Sequence, residues 1–260
     1  MKVLIAGGRG FLGSALRRAL VSSGHEVRVL TRRAPAAPGE VRWDGSSAGA
    51  WTGQLEDVDA VVHATGYGLD HWPWTRGRKQ RFIDSRVGPG GALAAAIAAA
   101  RHKPAVFVQM SGINYYGASG EGVADESWPA AADFLAQLSV MWEEATLPVE
   151  QAGVRRVMAR SAVVLSDRGG LFPLMALPVR LWAGGPLGSG DQAVPWIHLQ
   201  DAVGALRFLL ENGQARGAFN LVAPQQTSNA ELMRATARAL RRPYWFRVPG
   251  FLLRAALGEM

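Results

Sequence analysis

The run IAGGRGFLG at residues 5–13 constrains the fold of this chain more than any other stretch. It sets Gly7, Gly10 and Gly13 between a short β-branched run, KVLIAG (2–7), and a stretch with apolar residues at helical spacing, FLGSALRRALVSSG (11–24). That stretch closes on Gly24 and leads into the alternating pattern EVRVLT (26–31), which completes a βαβ unit of about thirty residues. Glycines between a strand and a helix start leave bare backbone N–H groups at the positive end of the helix dipole, where a Cβ would obstruct. The pyrophosphate of a dinucleotide requires such a place. Gly7 then supplies the turn, Gly10 the close approach and Gly13 the tight contact of helix on strand. The expression G-x-G-x-x-G, also met through Gly8, Gly10 and Gly13, is weak alone; the strand before it and the helix after it carry the inference.

The alternation continues. DAVVHATG (59–66) reads as a buried strand, 75–100 as a long helix, PAVFVQMSG (104–112) as a strand, about 133–153 as a helix, and VRRVMARSAVVL (154–165) as a strand. Residues 35–53 read as an irregular loop. This order predicts an α/β fold of the Rossmann type, a doubly wound parallel sheet with a smaller C-terminal substrate lobe. Ligands in such sheets bind at the carboxyl ends of the strands: here the glycine loop, Thr31 to Arg33, His63 to Gly66 and Met110 to Gly112. After residue 165 Gly and Pro are interspersed among apolar residues, so 1–165 is expected to be the nucleotide-binding domain and 166–260 a closing lobe, with helices at 200–212, 228–241 and 249–257. The length of 260 residues suits one large domain with such an appendage.

Composition narrows the function. The chain has no Cys, which excludes a disulfide framework, a thiolate metal site and a thiol nucleophile. Met1-Lys2 leads straight into a strand and no 18-residue apolar run follows, so neither a cleavable signal nor a membrane span is expected, and a cytoplasmic location is. The net charge of +7 invites a nucleic-acid reading, but the arginines are scattered and no basic tail exists, so solvated helix faces are expected and a nucleic-acid partner is not. His63, His71 and His198 lack metal-ligand spacing. His63 is expected in the core or the cofactor pocket, and Asp201 as the N-cap of a helix.

The second strand decides which dinucleotide. An NAD site commonly carries Asp or Glu some 20 residues beyond the glycines, to hold the ribose 2′-hydroxyl. Nineteen residues after Gly13 stands Arg32, flanked by Thr31 and Arg33, and the next acid is Glu40. A guanidinium grips a 2′-phosphate with two bonds, so NADP(H) is the expected cofactor. The plainer alternative is that Arg32 and Arg33 only finish an exposed strand; Arg9, in the loop, suits either.

The glycine loop, Trp43-Asp44, DAVVHATG, the DSRV ending at Val87, SGINYYG (111–117), DFLAQLSVMWE (133–143) and GGPLGSGDQAVPWIHLQD (184–201) together resemble the atypical extended short-chain dehydrogenase/reductases of the NAD(P)-dependent epimerase family. The resemblance spans nearly the whole chain. It implies an NADP(H)-binding Rossmann protein with cofactor contacts at Gly7, Arg9, Gly10, Phe11, Leu12 and Gly13, at Thr31 and Arg32, at Ala64, Thr65 and Gly66, at Arg86, and near Val164. Arg9 replaces the usual Thr, and His63 and Thr65 stand where Asn and Ala are usual. Members generally continue some tens of residues further, which implies a shortened last lobe. Relatives of this fold often pair through long helices, so a homodimer is a possible assembly.

The wider superfamily transfers hydride with a Tyr-x-x-x-Lys pair, and this chain lacks one. Four residues after Tyr67, Tyr115, Tyr116 and Tyr244 come His71, Ser119, Gly120 and Val248, and the helix that should present the pair offers Phe134, Leu135, Leu138 and Ser139. Without a nearby cation a tyrosine keeps a pKa near ~10, and acid–base help worth roughly 100- to 10,000-fold is lost. Ser111, Tyr115 and Tyr116 are the remaining catalytic candidates, with the alternative that Ser111 caps a turn and the tyrosines pack. Trp72 and Trp74 either line a substrate mouth or pack beneath the next helix. Two functions follow: an NADP(H)-dependent oxidoreductase or epimerase-type enzyme on a small carbonyl or hydroxyl substrate, or a non-catalytic NADP(H)-binding sensor or interaction module.

Overall fold

The first βαβ unit forms as its pattern dictates: β1 (Lys2–Ala6), α1 (Phe11–Ser22) and β2 (Glu26–Thr31), with the strands parallel and Ile5 opposite Val29. The computed structural model describes residues 1–117 and 122–247. Beyond the first unit the chain runs through β3 (Glu40–Arg42), β4 (Ala60–His63), α2 (Arg76–Ala99), β5 (Val106–Gly112), α3 (Phe134–Glu144), α4 (Leu147–Gln151) and β6 (Arg155–Ser161). Then come β7 (Val163–Leu165), α5 (Phe172–Met175), α6 (Leu177–Arg180), β8 (Trp196–His198), α7 (Leu199–Glu211), β9 (Gly217–Leu221) and α8 (Asn229–Leu240).

Seven strands form one parallel sheet in the order β3-β2-β1-β4-β5-β6-β9. The chain builds outward from β1 in one direction and from β4 in the other, so the order reverses between these two strands, which is where a doubly wound sheet opens a crevice. Strand side chains alternate between faces. Leu4 and Ala6 join Leu93, Ala94 and Ile97 of α2, with Trp51 and Phe107, in one buried cluster. Val3 and Ile5, of opposite parity, are as fully buried on the other face, where α1 packs on β1 and α7 covers β5 and β6. Both faces are covered, hence the continuous apolar runs.

Several boundaries differ from expectation. The loop at 35–53 contains β3 and leads into a 3-10 segment, Ala50–Asp57. The helix expected at 133–153 breaks into α3 and α4 at Ala145–Thr146, because Pro148 has no N–H to continue the helical ladder and instead takes a place in the first turn of α4, where no donor is needed. The strand expected at 154–165 divides: β6 joins the large sheet, while β7 pairs with β8 in a separate two-stranded sheet. The chain forms two compact units, the first of Met1–Tyr67, Arg81–Ser161 and Leu199–Leu221 and the second of Gly68–Gln80, Ala162–His198 and the chain from Val222 onward. α7 and β9, although they follow residue 165, belong to the first unit.

Asp201 is the third residue of α7 rather than its N-cap, an acid in the first turn where the helix dipole favours it. In the second unit, α8 starts with a reciprocal capping box between Ser228 and Glu231, and its Leu232, Met233 and Ala237 pack with Val179 of α6. The helix expected at 249–257 lies outside the described residues. Among the described residues no helix is long and apolar enough to cross a membrane.

Candidate cofactor-binding site

Gly7 follows β1 with φ +91°, and a Cβ there would lie 2.4 Å from the Ala64 carbonyl oxygen. Only glycine combines that backbone angle with so close an approach of the chain leaving β4. Gly10 caps α1 and donates to the Gly7 carbonyl at 2.8 Å, and no side chain caps the helix. Phe11, Leu12 and Gly13 form the first helical residues; a Cβ on Gly13 would sit 2.3 Å from the Gly7 oxygen. Bare amides at a helix start are therefore presented beside β1, as the sequence implied.

A cavity of about 600 Å³ opens at the carboxyl ends of β1, β2, β3 and β4. Of the residues expected at the cofactor, Gly7, Arg9, Gly10, Thr31, Arg32, Ala64, Thr65 and Gly66 line it, whereas Phe11, Leu12, Gly13 and Arg86 do not. Val164 lies in β7 of the second unit. Residues missed by the dinucleotide pattern also line the wall: Trp43 to Ser46 after β3, and Arg81, Asp84 and Ser85 on α2. The Trp43-Asp44 pair was visible in the sequence only as part of the family resemblance.

The charges around this cavity are uneven. Arg32 and Arg33 are exposed on its wall, and among the described residues neither guanidinium has a carboxylate partner. Thr31 is buried beneath them, its Oγ1 accepting from the Arg33 amide at 3.2 Å. Asp44 is engaged locally: it accepts from the Ser46 and Ser47 amides, each at 2.9 Å, and from the Ser47 hydroxyl. Those bonds, the Ser46 amide foremost, pull its carboxyl down to about 2. Arg9 grips Glu40, Nε to Oε1 at 2.9 Å and Nη2 to Oε2 at 2.5 Å.

Behind the loop after β4, Arg86 is buried, and among the described residues it has no acid partner. Its Nη1 donates to the Tyr67 and Phe82 carbonyls, both at 3.1 Å, its guanidinium lies 5.0 Å from the Trp142 ring, and burial lowers its pKa to about 10. A Cβ on Gly66 would come within 3.2 Å of this guanidinium.

The catalytic candidates gather elsewhere. Ser111, at the end of β5, donates to Glu143 of α3 at 2.7 Å; Glu143 holds Arg160 of β6 through two bonds of 2.9 and 2.8 Å. Arg160 donates to Tyr116 Oη at 2.9 Å, and that hydroxyl donates to Asn220 of β9 at 2.8 Å. Burial works against the charge on Arg160, but the bonds to Glu143 and Tyr116 more than offset it and raise its pKa. The same guanidinium lies 3.5 Å from the centre of the Tyr115 ring. Ser111, Tyr116, Glu143 and Arg160 are all buried, and none of them, nor Tyr115, lines the cavity described above. Trp74, in the second unit, donates its indole N–H to the Leu69 carbonyl at 3.0 Å, and Trp72 of the same unit is exposed.

Comparison with known proteins agrees with this architecture. The family profile described as "NAD dependent epimerase/dehydratase family" matches residues 3–221. Epimerase family protein Mb2239 of Mycobacterium bovis is 41% identical over 257 residues, covering 99% of this chain and 85% of that protein. The human epimerase family protein SDR39U1 is 37% identical over 263 residues, covering 100% of this chain and 87% of its own. A crystal structure of the human protein (isoform 2) with NADPH superposes with a TM-score of 0.91 at 35% identity, covering 100% of this chain and 86% of that one. A parallel sheet that reverses order beside a glycine loop, together with relatives matched over nearly their full length, leads to one conclusion: the chain belongs to the NAD dependent epimerase/dehydratase family.

Proposed function

We propose that the chain binds NADP(H) in the cavity at the ends of β1 to β4 and uses it as an oxidoreductase or epimerase-type enzyme on a small carbonyl or hydroxyl compound. One observation carries the choice of cofactor. At the end of β2, where an NAD site holds a carboxylate, stand two exposed guanidiniums that have no acid partner among the described residues, and the nearby Asp44 is occupied by its own turn. Such an end attracts a phosphate and can hold one bidentately. The human relative solved with NADPH supports the same reading. The glycine loop would bind the diphosphate on the open start of α1, and Thr31 to Arg33 would bind the 2′-phosphate. When bound, the nicotinamide supplies hydride transfer.

The buried network favours a second reading. Ser111 and Tyr116 give their hydroxyl hydrogens to Glu143 and Asn220, which leaves neither proton for a substrate and suits a protein that binds NADP(H) without turning it over. Titration with NADPH and NADH, joined to cofactor absorbance against a panel of sugars, ketones and aldehydes, separates the readings. Arg32→Ala should weaken NADPH at least about tenfold more than NADH, the worth of a lost charge-assisted pair; equal loss for both overturns the 2′-phosphate assignment. Turnover abolished by Tyr116→Phe with NADPH binding retained supports the enzyme. Tight binding with no turnover anywhere in the panel supports the second reading.

A further inference from the structure

Glu40 is an acid placed where an acid should be harmful. It opens β3, its side chain is only 3% exposed, and its partner Arg9 lines the same cavity as Arg32 and Arg33. Besides the two bonds from Arg9, the carboxylate accepts from the Ala36 amide at 2.8 Å and lies 3.7 Å from Arg17. The bonds from Arg9 first, and from the Ala36 amide next, depress its pKa to about 2, so it stays ionised across the physiological range. A fixed negative charge beside a phosphate site opposes binding unless it serves another group. Arg9 is that group: the grip engages Nε and Nη2 and leaves Nη1 of a planar fork free to donate. The clamp also ties the glycine loop, through Arg9, to the connection between β2 and β3, through Ala36.

We infer that Glu40 is a positioning residue for cofactor selection: by clamping Arg9 it fixes the remaining donors of that arginine toward the 2′-phosphate, and thereby raises the preference for NADPH over NADH. The inference rests on the NADP(H) reading above. An unclamped arginine would lose rotamer freedom on binding; a clamped one has already lost it.

The sign of one substitution tests this. Removing a negative charge near a phosphate should strengthen binding if only through-space electrostatics operate. If Glu40 acts through Arg9, Glu40→Gln should instead weaken NADPH and 2′,5′-ADP by about tenfold in calorimetric titration of the full chain, with NADH changed less than about threefold. Arg9→Met should reproduce that pattern, and the double variant should be no weaker than Arg9→Met alone, because the two residues form one unit. Unchanged or tighter NADPH binding by Glu40→Gln, or additive losses in the double variant, overturns the inference. Should Glu40→Gln fail to fold, Glu40→Asp makes the same test, since the shorter side chain keeps the negative charge but cannot reproduce the two-point grip on Arg9: selective loss of NADPH supports the clamp and full retention overturns it. Arg32→Ala in the same titrations separates the two levels. Equal loss of both cofactors there brings down the NADP(H) reading itself, whereas selective loss there with no effect at Glu40 brings down only the clamp.

Discussion

At His63 the sequence supplies a base and the fold forbids its protonation. The imidazole is fully buried; Nε2 lies 2.7 Å from Thr65 Oγ1, which gives its own hydrogen to the Ser85 carbonyl at 3.1 Å. Nε2 is therefore assigned as the protonated nitrogen of a neutral ring, and Nδ1 has no partner among the described residues. Burial, aided by the nearby charge of Arg86, lowers the pKa to about 3 from an ordinary 6.5. The unfolded chain then binds a proton that the folded chain refuses, so stability is complete above the unfolded value and falls as pH drops below it. Between pH 7 and pH 5 this group alone should remove about 2 kcal/mol, read as a fall in the urea midpoint, and His63→Asn should flatten that dependence. An Asn variant that loses as much stability over the same interval would contradict the assignment. The neutral ring is a consequence of surroundings brought from Ser85 and Arg86 of α2, which is why the sequence shows a histidine on an apolar strand and cannot show its charge. Arg32 is different. Its place on the cavity wall follows from its distance to the glycines along one βαβ unit, so it was legible, whereas the Arg9 to Glu40 ion pair joins a loop to the start of β3 and was not.

Among the elements, the turn from β1 to α1 shows how a backbone angle and a contact can be separated. Gly7 and Gly24 both have positive φ, +91° and +82°, but only at Gly7 does added carbon meet backbone; around Gly24 nothing lies within 4 Å. Gly24→Ala should therefore cost only the dihedral, about 1 kcal/mol, while Gly7→Ala adds a displacement of the chain at Ala64 and should cost at least about 3 kcal/mol. Chemical denaturation of the two variants measures the difference, and equal losses would show that the approach to Ala64 carries no weight. Elements were legible where one pattern ran unbroken, as in β1, α1, β2 and β5. They were not where tertiary pairing decides. Gly217–Leu221 is only partly buried over most of its length and becomes a strand by pairing with β6 at the edge of the sheet, a partner some sixty residues away that no local alternation announces. The division after Ser161 is of the same kind, since Val163 to Leu165 continues the β-branched run but takes its partner from Trp196–His198.

For the whole molecule, the decisive fact is that every residue lining the cavity belongs to the first unit. A ligand that binds only the folded state stabilises it by about 2.7 kcal/mol at a hundredfold excess over its dissociation constant. For a chain of 260 residues that corresponds to roughly 5–10 °C in the thermal midpoint. NADPH should produce such a shift, and NADH at the same concentration a smaller one, because the linkage follows each affinity. The protection should be local in origin: hydrogen exchange should slow first in the glycine loop, the end of β2 and the turn at Asp44 to Ser47, whose amides are bound or covered at the cavity wall. The network of Ser111, Glu143, Arg160 and Tyr116 is held by its own hydrogen bonds away from the cavity and should gain protection only with the global stability of its unit. Slowing that begins at Ser111 and Tyr116 while the glycine loop stays unchanged would move the nucleotide site away from the cavity, and would make those hydroxyls contacts of the ligand.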